Sequence, residues 1–159
     1  MPLLKYTILA LLLALQQPPP PDDDGRYDDM GWEVLLGDTK TRYRYDSSYN
    51  AFVPVPRFGR KVKALEGAEI SLKGFFLSAD VSGRVIVLSY LPMAMCFFCS
   101  SAGIESVVEI HNIPQHNNRF RRLRTDDFIE IRGRLRLNAD DLNHLVYILE
   151  DAELVKVFK

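Results

Sequence analysis

Cysteine is scarce in this chain: Cys96 and Cys99 are the only two in 159 residues. Two thiols cannot build the disulfide framework of a small secreted scaffold, so an apolar core has to carry the fold. Tryptophan occurs once, at Trp32, and histidine three times, at His111, His116 and His144. That limits how many imidazoles any metal site can draw on. No apolar stretch reaches the ~20 residues of a membrane-spanning helix. A P-loop, a dinucleotide glycine fingerprint and a Ser-His-Asp set with an elbow motif are all missing, so no familiar nucleotide or hydrolase chemistry is announced. Internal repeats and coiled-coil periodicity are absent as well. The net charge of −1 gives no general drive toward nucleic acid or an anionic surface. The charge is uneven, however: aspartates gather at 22–24, 28 and 29, and arginines at 119–124 and 132–136.

What is present begins with Tyr6 to Leu15, a run of about ten residues that is apolar except for Thr7 and is preceded by Lys5. Its length suits the hydrophobic part of a secretory signal. The sequence therefore predicts a signal peptide over 1–16 and an exported, periplasmic or envelope-associated protein. A linker is expected over 17–30. Its four prolines favour extended polyproline II, and its aspartates keep it solvated. One domain over 31–159 follows.

Within that domain, Trp32 to Gly37 reads as a short helix or turn that packs the tryptophan over an open end of the core. Thr41 to Asp46 alternates like an edge strand. Phe52 to Arg57 is extended, because Pro54 and Pro56 forbid a helix and disfavour a central strand. Then a regular series starts. Ile70, Leu72, Gly74 and Phe76 share one face of a strand; Val85 to Leu91 returns after a Ser82-Gly83 turn; Ser106 to His111 forms a third strand. A basic helix-like segment over Arg119 to Arg124 precedes the fourth strand, in which Ile129, Ile131, Gly133, Leu135 and Leu137 alternate with Glu130, Arg132, Arg134 and Arg136. Leu145 to Leu149 is a fifth strand, with Leu154 to Phe158 as its extension. Five strands, a helix between the third and fourth, and inward glycines at Gly74 and Gly133 that let strands bend all predict a mainly β protein. Its architecture is a five-stranded OB-like barrel with a short N-terminal extension.

The candidate site is the loop Met93-Ala94-Met95-Cys96-Phe97-Phe98-Cys99. Two thiolates three positions apart can bind one Zn²⁺ or Cu⁺, and Met93 and Met95 add soft thioethers that suit copper. A tetrahedral site needs further ligands, for which His111 and His116 are the candidates. The same pair also fits a thiol–disulfide couple, although it lacks the strand–helix setting of thioredoxin-like motifs. A third reading leaves the cysteines as packing or a plain disulfide.

From Trp32 to about Ile110 the chain resembles a family of uncharacterised exported bacterial proteins with OB-like cores. The shared features are Trp32 and Leu35, then Leu65-Glu66-Gly67-Ala68-Glu69-Ile70, then Gly74-Phe75, then an apolar hairpin into a cysteine loop. In that family the loop reads Cys-Ile-His before a proline-rich segment; here it reads Cys96-Phe97-Phe98-Cys99, so only Cys96 carries over directly. The resemblance implies a periplasmic-type location and a link to metal uptake or to an envelope export system.

The second candidate is basic. Arg119, Arg121 and Arg122, with Arg132, Arg134 and Arg136, are able to form a patch for a protein or an anionic partner, the plainer reading being a solvated face. Asp140-Asp141 near His144 reads as a loop with N-cap aspartates. The leading expectation is a non-enzymatic protein that handles zinc or copper through Cys96 and Cys99 as an accessory to an envelope transporter. An OB-fold interaction module with an arginine face is the alternative, and a thiol-disulfide oxidoreductase ranks third.

Overall fold

The computed structural model describes residues 30–78, 85–95, 103–112 and 114–158. The expected signal peptide, nearly all of the linker, the Ser82-Gly83 turn and both cysteines lie outside the described residues. So does the side chain of Met95.

Alternation in the sequence translates directly into a barrel. Strand β3 (Glu69–Ser78) turns Leu72, Gly74 and Phe76 inward. It pairs antiparallel with β4 (Ile86–Ser89), and β4 pairs antiparallel with β5 (Val107–Asn112). Strand β5 runs parallel to β7 (Tyr147–Phe158). Strand β6 (Phe128–Leu137) lies antiparallel to both β7 and β3 and closes the barrel. The order β3-β4-β5-β7-β6, with the short helix α3 (Asn117–Phe120) between β5 and β6, is that of an OB-like barrel. Leu72, Leu88, Val108, Ile129, Ile131, Leu135 and Leu149 fill it completely shielded from solvent. Each such side chain contributes about 1.5–3 kcal/mol over remaining exposed.

Both inward glycines sit where strands approach too closely for a side chain. A Cβ at Gly74 would lie 2.6 Å from the Ser89 carbonyl oxygen, and one at Gly133 would lie 2.9 Å from that of Glu150. The fifth strand differs from expectation. It is one element from Tyr147 to Phe158, kept continuous by two register shifts against β6, and Asp151 at one of them takes a φ of 51°. These bulges let a segment with interrupted alternation stay paired. Leu145, expected as its first residue, instead lies in the loop before it.

In the N-terminal extension the expected helix and two extended segments form, and the two segments pair with each other. Helix α1 (Met30–Gly37) buries Trp32 and Leu35 in the main core, and the indole Nε1 donates to the Lys73 carbonyl at 2.7 Å. Strands β1 (Thr39–Asp46) and β2 (Ala51–Phe58) form a separate two-stranded ribbon. Proline is tolerated at 54 and 56 because the ribbon has no third strand. Helix α2 (Arg60–Ala64) leads back to the barrel. Tyr147 ties the ribbon down: its hydroxyl donates to the Leu35 carbonyl at 2.9 Å and so receives the Thr39 hydroxyl proton at 2.5 Å. Burial pushes the Tyr147 phenol well above its usual range. Among the described residues, no helix is long and apolar enough to cross a membrane.

Candidate metal centre

On β5 the inward residues are Val108 and Ile110, which join the main core. Their neighbours Val107, Glu109 and His111 therefore face outward by the two-residue repeat of a strand. That outer face is covered. The segment from Asn138 to Val146 folds over it, and the buried Asn138 side chain bonds its backbone at several points. Its amide nitrogen lies 2.7 Å from the Asp141 carbonyl, 3.2 Å from that of His144 and 3.1 Å from that of Leu145. Its amide oxygen accepts the Asp141 N–H at 3.0 Å. The loop then sets Leu145 against a small second apolar cluster of Leu77, Val87 and Val107, and His144 against Glu109.

The result is a three-residue constellation. Glu109 is 8% exposed. Its Oε1 accepts from His111 Nε2 and from His144 Nδ1, each at 2.8 Å. Its Oε2 accepts the Leu145 amide at 2.9 Å. The two imidazoles stand edge to face, with centroids 5.7 Å apart and planes at 67°, and their side chains are 42% and 36% exposed. Burial acts to raise the Glu109 carboxyl. The hydrogen bonds from His111, the Leu145 amide and His144, together with the His144 charge, outweigh it and hold the group below its usual range.

One ligand atom from each of Glu109, His111 and His144 lies within 4.8 Å of the others, so the cluster can hold a metal ion. Bonds of about 2.0–2.2 Å to zinc place neighbouring ligand atoms about 3–3.5 Å apart. To take the ion, the proton that each imidazole donates to Glu109 moves to its other ring nitrogen, and the 2.8 Å contacts open by a few tenths of an ångström. The Leu145 amide on the second carboxylate oxygen is the kind of outer contact that orients a ligating carboxylate. His144 also lines a groove of about 300 Å³ between the ribbon and the Asn138–Val146 loop.

Of the residues singled out from the sequence, His111 belongs to this cluster. His116 does not, because its Nδ1 accepts the Leu154 amide at 3.0 Å and is thereby committed to β7. Met93 lies on the turn Met93–Met95, where its amide donates to Asp126 at 2.7 Å. Cys96, Cys99 and the Met95 side chain lie outside the described residues. The sequence reading missed Glu109 and His144 as ligands. The signal for Glu109 was its position two residues before His111 on one strand face. His144 carried no local signal, since it meets Glu109 across 35 positions.

The arginines divide into two groups. Arg132 pairs with Glu153 at 3.1 Å and Glu69 at 3.8 Å, Arg134 with Asp151 at 2.5 Å and Glu150 at 3.8 Å, and Arg136 with Glu150 at 2.8 Å. These form a charge ladder across β3, β6 and β7. Arg119, Arg121 and Arg122 are exposed around α3. No protein-family model matches the chain, and no curated protein matches it.

Proposed function

We propose that this protein binds a transition-metal ion, Zn²⁺ in the first place, through Glu109, His111 and His144, and that it does so as a binding protein rather than a catalyst. The observation that carries this reading is the convergence of two imidazoles on one oxygen of a buried carboxylate whose other oxygen is held by a backbone amide. Two nitrogens and an oxygen suit zinc. The preference for copper drawn from Met93, Met95 and the thiols rests on a loop whose cysteines lie outside the described residues. In this reading the N-terminal apolar run makes the metal one handled in the cell envelope, in line with the family resemblance, and an envelope transporter is the expected partner. The arginine-face alternative loses support for Arg132, Arg134 and Arg136, whose charges are matched on their own sheet.

The test is zinc stoichiometry and affinity, by elemental analysis and competition titration, on the purified chain and two variants. Near one equivalent is expected for wild type and for Cys96→Ser/Cys99→Ser. His144→Ala should lose at least about 100-fold in affinity, since it removes a direct ligand where outer contacts alone are worth 10–100-fold. Zinc kept in His144→Ala and lost in the cysteine variant would return the site to the C-x-x-C loop.

A further inference from the structure

Four arginines fall between positions 119 and 124: Arg119, Arg121, Arg122 and Arg124, all exposed. Among the described residues, none of their guanidinium groups has an ion-pair partner. The nearby acids in sequence are engaged elsewhere. Asp126 accepts the Met93 amide at 2.7 Å, Asp127 accepts the Arg124 amide at 2.8 Å, and Glu130 accepts the Ser71 hydroxyl at 2.9 Å. Arg119, Arg122 and Arg124 stand on one side of a cleft of about 590 Å³ whose other side is Leu154, Val157 and Phe158, with Asp127 as the acid on its wall. Lys156 adds a further cation, its Nζ 4.7 Å from the centre of the Phe158 ring. Exposed apolar side chains also lie on β7: Val157, which lines the cleft, is 36% exposed, and Val155 is 45% exposed. Val155 owes its position to a bulge, since Glu130 faces Lys156 and Ile131 faces Leu154, leaving one residue between.

We propose that this end of the barrel docks on an anionic phospholipid membrane, with the cleft taking a headgroup phosphate. Val157, which lines the cleft, and its neighbour Val155 then meet the boundary between headgroups and acyl chains. Three features favour this occupant. Guanidinium groups bind phosphate oxygens through paired N–H donors, and clustered cations are drawn to an anionic leaflet. The cations are compact, set on one short helix and its turn, which fits a membrane plane better than the long basic track that follows a nucleic-acid backbone. Nor does the aromatic row Phe75–Phe128–Phe158 offer an open stacking platform. Its rings contact each other at 5.1 and 5.4 Å, and Lys156 and Lys73 lie over Phe158. The proposal is independent of the metal reading and uses none of its residues.

Vesicle co-sedimentation of the full chain tests it, with phosphatidylcholine vesicles compared against vesicles carrying 30% phosphatidylglycerol. The apolar N-terminus is common to all variants, so the readout is the preference for the anionic vesicles. Wild type should prefer them and lose the preference in 0.5 M salt. Arg119→Ala/Arg122→Ala/Arg124→Ala should lose roughly fivefold per arginine, about 100-fold in all, with an unchanged melting temperature and unchanged zinc binding. Val155→Ser should weaken binding with every charge kept. No anionic preference in wild type, or one that the triple variant retains, overturns the proposal. Tight capture of a single-stranded oligonucleotide or of inorganic phosphate without vesicle preference overturns the lipid assignment.

Discussion

Glu109 and the Arg119–Arg124 turn are opposite solutions to placing charge on a small barrel. At Glu109 one buried acceptor is met by three donors, two from side chains and one from the backbone. At the turn, several exposed donors have no acceptor among the described residues. The first arrangement is closed: both carboxylate oxygens have partners, and removing the carboxylate leaves its donors stranded. The second is open, with no ion pair among the described residues. Structure is therefore invested in the first and available to an outside ligand in the second. The largest effect should come from breaking the closed site. Glu109→Ala strands the Leu145 amide and deprives both histidines of their acceptor. It should cost about 2–3 kcal/mol, or roughly 5–10 °C in Tm for a domain of this size, as read by calorimetry on metal-free protein. A loss under about 0.5 kcal/mol would mean that the carboxylate is not enclosed.

Next in size is the clamp. Asn138 touches none of the candidate ligands through its own carboxamide oxygen, yet it holds the backbone that presents His144 and Leu145. Asn138→Ala should destabilise by about 1–2 kcal/mol and weaken zinc binding about 10–100-fold. Both effects are expected in one variant, because the same loop covers the second apolar cluster and carries the ligand. A drop in stability with zinc affinity untouched would separate the loop from the site.

The same enclosure sets a pH dependence. The folded state holds Glu109 below its ordinary value of 4.5. The unfolded chain therefore takes up the proton first as pH falls. The stabilisation is complete above that ordinary value and disappears as pH drops through the lower, folded one. Urea midpoints for wild type and Glu109→Gln should lie apart at pH 6 and draw together as pH falls below 4.5. Curves that stay parallel down to pH 3 would show that the carboxylate gains nothing from its donors.

How much of this was legible follows from the same contrast. The arginine turn is contiguous in sequence and could be read directly. So could the barrel, because Leu72, Gly74 and Phe76, or Ile129, Ile131 and Gly133, declare their face by alternation alone. The half-site Glu109–His111 was visible as two outward positions on one strand. His144 was not, because what brings it there is a loop fold decided by the carboxamide of Asn138 and by Leu145 finding Val87 and Val107. Such contacts have no periodicity. The bulges that keep Tyr147–Phe158 a single strand were hidden for the same reason: they are settled by pairing with β6 and leave no mark in the strand's own pattern. Cys96 and Cys99 stand out in the sequence because they lie three positions apart, whereas Glu109 and His144 are 35 positions apart.

The smallest effects test whether counter-charges on the surface stabilise the fold at all. Arg134 reaches Asp151 and Glu150 across the β6–β7 pairing, but its side chain is 53% exposed. Water screens such a pair and ordering long side chains costs entropy, so Arg134→Ala should lower stability by about 0.5 kcal/mol or less. That loss should shrink further in 1 M salt. Arg122→Ala should not lower it. With no ion pair among the described residues to lose and Arg119, Arg121 and Arg124 close in sequence, removing one cation relieves repulsion and leaves stability equal or slightly higher. Chemical denaturation of both variants at low and high salt reads the difference directly. If Arg122→Ala proved the more damaging, the turn would have a partner within the protein. Its arginines would then belong to the fold, as those of the β6 ladder do, and would not be free for a membrane.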